Sequence, residues 1–303
     1  MFHSALILLP LFLGFVFCQD IVLTNDDGWA VAQIRAQNNA LKAAGFNVVL
    51  SAPAENKSGT GSSSATPTPL TEPCEFNTCP TGSPATGSEA DDPRINYVNS
   101  FPVDAVRFGI QTLAPEFFDG PPEFVVSGPN VGNNLGSGIT GSGTVGAACE
   151  AAKEGIPSTA FSGASTSQVS FTTLTTDPDS TDTKASLLYA QLTTTFTQAL
   201  LTSSARPVLP ADTTINVNFP SITNCGNVDD FSFILTRLVS DPDAEDVETC
   251  NTDHLPVETT VINEGCFVTV SVIGATTKAD VDAETQGAVL DRISSILSCL
   301  PVP

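Results

Sequence analysis

Asp26 and Asp27 stand side by side at the end of a short apolar run, Ile21 to Thr24, and Gly28 follows at once. An ionised carboxylate at the end of a buried strand is costly unless something compensates its charge. Two more polar segments follow apolar runs of their own: Asn56, Lys57, Ser58 and Gly59, then Gly128 through Gly136 with Asn130, Asn133 and Asn134. Two carboxylates, a hydroxyl and amide oxygens are hard donors, the set that suits magnesium, manganese or calcium. Adjacent strand residues point to opposite faces, so both aspartates serve one site only if the chain turns after them, and Gly28 permits that turn. A competing reading makes Asp27 the N-cap of a helix beginning near Trp29. The two further polar loops favour the cation.

Gly141 to Gly146 spells G-x-G-x-x-G and opens a helix, but a loop rather than a strand precedes it, so a dinucleotide site fails its context. What remains is a backbone nest at a helix N-terminus, with the Ser142 and Thr144 hydroxyls beside it, suited to one phosphate group. A closely packed glycine turn is the structural alternative. Cation and anion cradle together point to metal-assisted hydrolysis of a phosphate monoester. Asp26 and Asp27 are ligands first in that scheme; whether one of them or a water attacks phosphorus stays open. Two rival classes are a non-catalytic anion-binding protein and a serine hydrolase. Against the latter, no G-x-S-x-G elbow occurs, and past the N-terminal apolar stretch the sole histidine is His254.

These loops require a scaffold. Residues 20–24 read as a strand, 29–45 as a helix stopped by Gly45, and 46–53 as a second strand. That βαβ unit implies a parallel sheet with ligands at the carboxyl ends of its strands. A helix over 103–114, a strand over 123–128, a helix over 144–155 and a strand over 157–163 continue the alternation, while 58–95 reads as a surface loop rich in Ser, Thr, Gly and Pro. After a long helix over 184–203, strands at 213–219, 231–239 and 266–274 and a closing helix over 283–297 follow. The expected fold is α/β, a mainly parallel sheet with helices on both faces. Its core spans 20–212, and a strand-rich extension over 213–303 is available for oligomer contacts.

Acidic residues outnumber basic ones 33 to 11, for a net charge of −22. That field repels nucleic-acid polymers and anionic membranes, and a small phosphorylated substrate would need local donors. Ala5 to Phe17 is apolar, of signal-peptide length and short of the roughly 20 residues that span a bilayer. Residues 1–18 therefore read as a signal peptide and the remainder as secreted, free of the membrane; a retained anchor is the alternative. Of the 8 cysteines Cys18 leaves with the signal, so an odd number stays behind and one is unpaired within the chain. Cys149, in an alanine-rich helical stretch, is the candidate. Near-neighbour pairing predicts Cys74–Cys79, Cys225–Cys250 and Cys266–Cys299.

Taken in order, "IVLTNDDG", "SAPAENKSG", "VVSGPNVGNNLG" and "GSGTVGAACEAAKEGIPSTAFS" resemble the SurE family of survival-protein phosphatases, over most of residues 20–163 and in outline beyond. The resemblance implies a Rossmann-like α/β fold, metal-dependent 5'/3'-nucleotidase or phosphomonoesterase activity, and a homodimer or larger homo-oligomer. It implies a divalent metal ion, magnesium or manganese with calcium as a further option, on Asp26, Asp27, Ser58 and Asn130. Asn134, Ser142, Gly143 and Thr144 fall where the family lines its phosphate pocket. The chain departs where the family carries an acidic and a basic residue after Ala-Pro; here Ala54 and Glu55 leave Lys57 as the loop's cation for phosphate. The Thr-Pro common before the third helix is Phe101-Pro102. Asn56, Lys57 and Ser58 also form an N-glycosylation sequon, and because a glycan would block the ligand loop, Asn56 is expected to be unmodified.

Overall fold

The computed structural model describes residues 19–164 and 167–301, so the signal-peptide reading of residues 1–18 lies outside the described residues. β1 (Asp20–Thr24) leads into α1 (Ala32–Ala43) and β2 (Asn47–Pro53). Two short strands come next, β3 (Thr86–Ser88) and β4 (Ile95–Val98), then α2 (Pro102–Phe108), a π-helical turn over Gly109–Leu113, and α3 (Ala114–Phe118). β5 (Phe124–Val131), α4 (Gly143–Lys153), β6 (Ser158–Gly163), α5 (Thr173–Thr176) and α6 (Thr181–Thr202) continue the alternation. The C-terminal part supplies β7 (Thr213–Phe219), β8 (Ser232–Thr236), α7 (Glu258–Val261), β9 (Phe267–Gly274) and α8 (Ala283–Ile293).

The nine strands of the described residues join one sheet in the order β3-β4-β2-β1-β5-β6-β7-β9-β8. The strands from β4 through β7 are parallel, β9 returns antiparallel to β7, and β8 runs parallel to β9. β1 is buried on both faces, as its continuous apolar run requires: Ile21 and Leu23 pack with Ile34 and Leu41 of α1 and Phe196 of α6, while Val22 packs with Val106 of α2 and Ala147 of α4. Helices therefore cover both faces. Among the described residues no helix is long and apolar enough to cross a membrane.

Three local differences from the sequence reading have physical causes. α1 begins at Ala32, with Val31 at its N-cap and no side chain capping it, so Asp27 is not a cap. The supposed surface loop over 58–95 contains β3, and β4 starts at its end; Ile95 and Tyr97 of β4 are buried. The surrounding Ser, Thr, Gly and Pro mask so short a strand pair. The third difference is the disulfide pattern. Cys225 follows β7 and Cys266 precedes β9; because β9 returns antiparallel beside β7, the two meet with Cα atoms 5.7 Å apart. Cys250 bonds instead to Cys299 of the tail, Cα atoms 5.6 Å apart, and Ser298 N–H donates to the Phe233 carbonyl of β8 at 2.8 Å. The expected Cys225–Cys250 and Cys266–Cys299 pairs are thus corrected, since separation along the chain ignores the strand return. Cys74–Cys79 forms as expected, and Cys149 is free and buried, its thiol pushed up to about 11 by that burial.

Non-reducing peptide mapping is expected to recover linked fragments for 74–79, 225–266 and 250–299. Cys149 should resist a thiol reagent at pH 8 until the protein is unfolded, because the thiolate is the reactive form. Labelling of Cys149 in the native protein would contradict this packing.

Candidate active site

Asp26 and Asp27 lie just past the end of β1, 2% and 0% exposed. The chain turns at Gly28, whose φ of +115° L side chains rarely adopt. Asn25 clasps that turn, its Oδ1 accepting the Gly28 N–H at 3.2 Å and its Nδ2 donating to the Gly28 carbonyl at 2.9 Å. Asp27 Oδ1 accepts from Ser58 Oγ at 3.1 Å and from Gln168 Nε2 at 2.8 Å, and its Oδ2 accepts the Val131 N–H at 2.7 Å. Asp26 accepts the Thr144 hydroxyl, and its carbonyl accepts the Lys57 N–H at 2.7 Å. The loops after β1, β2 and β5 and the start of α4 therefore meet at one rim.

Asn130 emerges from a register shift in β5 between Ser127 and Asn130. Its Nδ2 donates to the carbonyls of Val131 and Gly132 at 3.2 and 2.6 Å, while its Oδ1 is buried with no partner. Ser142 caps α4, its Oγ accepting the Val145 N–H at 3.1 Å. A Cβ on Gly143 would stand 2.7 Å from Asp26 Cβ, so only glycine allows the helix N-terminus to come this close to the carboxylate. Asn134 Nδ2 donates to Ser162 Oγ at 2.8 Å, and its backbone is gripped by Asn218, which accepts its N–H at 2.8 Å and donates to its carbonyl at 2.9 Å. Asn216 also donates to that carbonyl at 2.9 Å. Behind this loop, buried Glu258 accepts from Gly136 N–H at 2.6 Å, Ser271 Oγ at 2.8 Å and Asn216 Nδ2 at 3.3 Å. Lys57 leans towards Glu55, 3.5 Å away, and Asn56 donates to Gln168 Oε1 at 2.6 Å.

Burial raises the Asp26 carboxyl above its ordinary range, and burial followed by the charge of Asp26 raises Asp27. Glu75 is pushed up to about 8 by burial, then by Asp27 and Glu55; its Oε2 has no partner and occupies the space a Cβ on Gly28 would fill. Among the described residues no three or more His, Cys, Asp or Glu side chains converge as a metal site. The expected donor set contains only two carboxylates, completed by the Ser58 hydroxyl and the Asn130 amide oxygen. An unpartnered buried Oδ1 beside two carboxylates that resist ionisation is the chemistry a hard divalent cation fits.

Sequence reasoning missed Gln168, Glu75 and the trio Asn216, Asn218 and Glu258. The alternating "INVNF" of β7 did carry a signal, since amides at period two in a buried strand need partners. Gln168 and Glu75 stand in loops whose composition carries none.

Strand β1 has β2 and β4 on one side and β5, β6 and β7 on the other, so the chain's progression reverses between β1 and β5. Ligands of open α/β sheets bind in the crevice at such a switch point, where Asp26, Asp27 and Asn130 lie. This is a Rossmann-like α/β protein with a polar site at the carboxyl ends of its central strands. The chain belongs to the SurE family: the family model "Survival protein SurE" matches residues 21–241. An acid phosphatase of Yarrowia lipolytica is 35% identical over 285 residues, covering 84% of this chain and 78% of that protein. The 5'-nucleotidase SurE of Lawsonia intracellularis is 37% identical over 143 residues, 47% of this chain and 50% of the relative, so this alignment spans about half of either. A crystal structure of the SurE protein from Aquifex aeolicus aligns with a TM-score of 0.59 over 89% of this chain and 98% of that chain at 23% identity, a likeness of fold.

Glu75 and Glu258 are raised from 4.5 to about 8 and about 7 by burial. Across that window the folded chain binds more protons than the unfolded chain, so stability falls as pH rises. In EDTA the thermal midpoint is expected to drop by about 3 °C or more between pH 5.5 and pH 8. Millimolar magnesium or manganese is expected to restore it by binding the folded chain alone. A midpoint that climbs over this range in EDTA would contradict the burial of these carboxylates.

Proposed function

We propose that this chain is a metal-dependent phosphomonoesterase acting on nucleoside 5'- or 3'-monophosphates or similarly small phosphorylated metabolites. Asp26, Asp27, Ser58 and Asn130 would hold a magnesium or manganese ion, with calcium the less suited choice. Bound there, a divalent ion supplies Lewis-acid polarisation of a phosphoryl oxygen and a lowered pKa for water. The observation that carries the reading is the unpartnered Oδ1 of Asn130 beside the buried Asp26–Asp27 pair, close to the N-terminus of α4. Family membership and the names of its relatives, acid phosphatase and 5'-nucleotidase, support the same chemistry.

In this reading the chain's own groups bind and orient the phosphoryl group. The Ser142 hydroxyl and the positive end of α4 face its oxygens, while the amides of Gly143 and Thr144 turn to Asp26 and hold that carboxylate at the helix N-terminus. Asn134, fixed through Asn218 and Asn216, supplies a further amide, and Lys57 offsets charge if its ammonium swings from Glu55. Asp26 or Asp27 serves as nucleophile, or as base for an attacking water. Three disulfides support export to an oxidising compartment, hence a secreted protein. We also assign residues 19–303 to one domain, with 213–303 extending the 20–212 core because β7, β9 and β8 continue its sheet. Family membership is the ground for a homodimer or larger assembly.

Asp26→Asn and Asp27→Asn are each expected to lower turnover of p-nitrophenyl phosphate and a nucleoside 5'-monophosphate by more than about 100-fold, with circular dichroism unchanged. EDTA should abolish wild-type activity and added magnesium or manganese restore it. Activity that survives both substitutions sinks this site. Phosphate binding without any metal-stimulated phosphate release would instead mark a non-catalytic anion-binding protein.

A further inference from the structure

Glu258 is buried at the start of α7, and none of the ion pairs among the described residues includes it. Arg237, whose carbonyl accepts the Glu258 N–H at 2.9 Å, turns its guanidinium to Asp246 and Asp280 at 2.5 and 3.6 Å. A carboxylate buried without a cation is costly, and a glutamine would occupy the same space uncharged. What an amide cannot do is accept at both ends. Glu258 does so: Oε1 accepts the Gly136 N–H at 2.6 Å, and Oε2 accepts Asn216 Nδ2 at 3.3 Å and the Ser271 hydroxyl at 2.8 Å. Gly136 and Asn216 both lead to the loop that carries Asn134. The second hydrogen of Asn216 Nδ2 goes to the Asn134 carbonyl at 2.9 Å, and Asn218 Nδ2 fills the other lone pair of that carbonyl, also at 2.9 Å. Asn216 Oδ1, by contrast, is buried with no partner. Turned over, the Asn216 amide would set that oxygen against a carbonyl and a carboxylate, so the charge of Glu258 keeps its donor aimed at Asn134.

Resting on the phosphomonoesterase reading, we propose that Glu258 is a positioning residue for the phosphate site: its two carboxylate oxygens fix the loop at Gly136 and, through Asn216, at the Asn134 carbonyl, and so set how tightly Asn134 holds a phosphoryl group. A glutamine at 258 has one acceptor for these two anchors. With its oxygen at Gly136, its NH2 opposes Asn216 Nδ2; with its oxygen at Asn216, its NH2 opposes the Gly136 N–H. Either way two donors face each other and one anchor is lost. Ser271 suits both forms, because its hydroxyl can accept from an amide and donate to Thr236 Oγ1, 2.8 Å away. The C-terminal strands thereby take part in the site, with Asn216 on β7, Ser271 on β9 and Glu258 on α7 between β8 and β9. Glu258 lies outside residues 21–241, the stretch that the family model matches.

The test uses Glu258→Gln, Asn216→Ala and the double variant of the full chain at pH 8, above the value of about 7 to which burial raises Glu258, so that the wild type is ionised. Binding of inorganic phosphate is measured by calorimetry with magnesium present, KM and kcat with p-nitrophenyl phosphate, and the thermal midpoint by circular dichroism. Glu258→Gln is expected to weaken phosphate binding and raise KM by about fivefold or more with kcat within about threefold, since Asn134 holds the phosphoryl group in ground and transition states alike. Its midpoint should equal or exceed that of the wild type, because a buried charge is gone. In the Asn216→Ala background, Glu258→Gln should change phosphate affinity by less than about twofold, since the opposed donor is absent. Wild-type phosphate affinity in Glu258→Gln, effects of the two substitutions that add in full, or an affinity that falls only together with the midpoint would each overturn the positioning role, as would a wild type that binds no phosphate. Weakened phosphate binding in Glu258→Gln, with no monoester hydrolysed by the wild type, keeps that role and removes the hydrolase reading. Metal-stimulated turnover with the same KM in the wild type and Glu258→Gln does the reverse.

Discussion

The carboxylates of Asp26 and Asp27 are removed from water one residue apart, at the end of a strand buried on both faces, and ionising either one there works against burial and against the other's charge. The surroundings answer with donors: Thr144 for Asp26; Ser58, Gln168 and the Val131 N–H for Asp27. Each donor comes from a different segment. The pair is therefore both the reason these loops converge and the device that keeps them in place.

The sheet makes the convergence possible. Parallel strands send their following loops to one edge, and the reversal between β1 and β5 opens a crevice at that edge, so residues separated by more than a hundred positions, Asp26 and Thr144, touch. The shift in β5 then re-aims Asn130, and Gly143 lets α4 approach until its N-terminus faces Asp26. Behind the first ring of residues, Asn218 and Asn216 grip the backbone of Asn134, and Glu258 grips that of Gly136. A loop held at its carbonyls and amides has little freedom left to lose when a ligand binds.

Much of this was legible in the sequence because its causes are local. A run such as "DIVLT" reads as a buried strand, "DDG" after it as a costly turn or a helix cap, and "GSGT" as the start of a helix that glycine lets pack closely. What could not be read depends on pairing at a distance. The Cys225–Cys266 bond follows from the antiparallel return of β9, which no spacing encodes. β3 and β4 are too short to show a period within a loop of turn-forming residues. Gln168 reaches Asp27 from a segment with no motif, and Glu75 comes to rest against Gly28 because the Cys74–Cys79 loop docks there, its Thr78 hydroxyl accepting from the Trp29 indole at 3.1 Å.

Glu258 and Asp27 both show how far hydrogen bonds fall short of replacing water around a buried carboxylate. Each is almost fully buried, and each accepts from three donors, one of them a backbone N–H. At Glu258 burial outweighs those donors and leaves the carboxyl raised to about 7, with the charge of Asp280 adding to the shift. Asp27 has the same number of donors but also the charge of Asp26 beside it and Glu75 near the same turn. Three hydrogen bonds do not fully offset desolvation at either carboxylate, and they leave the repulsion between like charges, which a bound proton or cation relieves. No lysine or arginine reaches either aspartate among the ion pairs of the described residues, since Lys57 turns to Glu55 and Arg35 to Glu89. Neither aspartate finds that positive charge among these ion pairs, and Asn130, next in the chain to the Val131 N–H that Asp27 accepts, carries a buried Oδ1 with no partner.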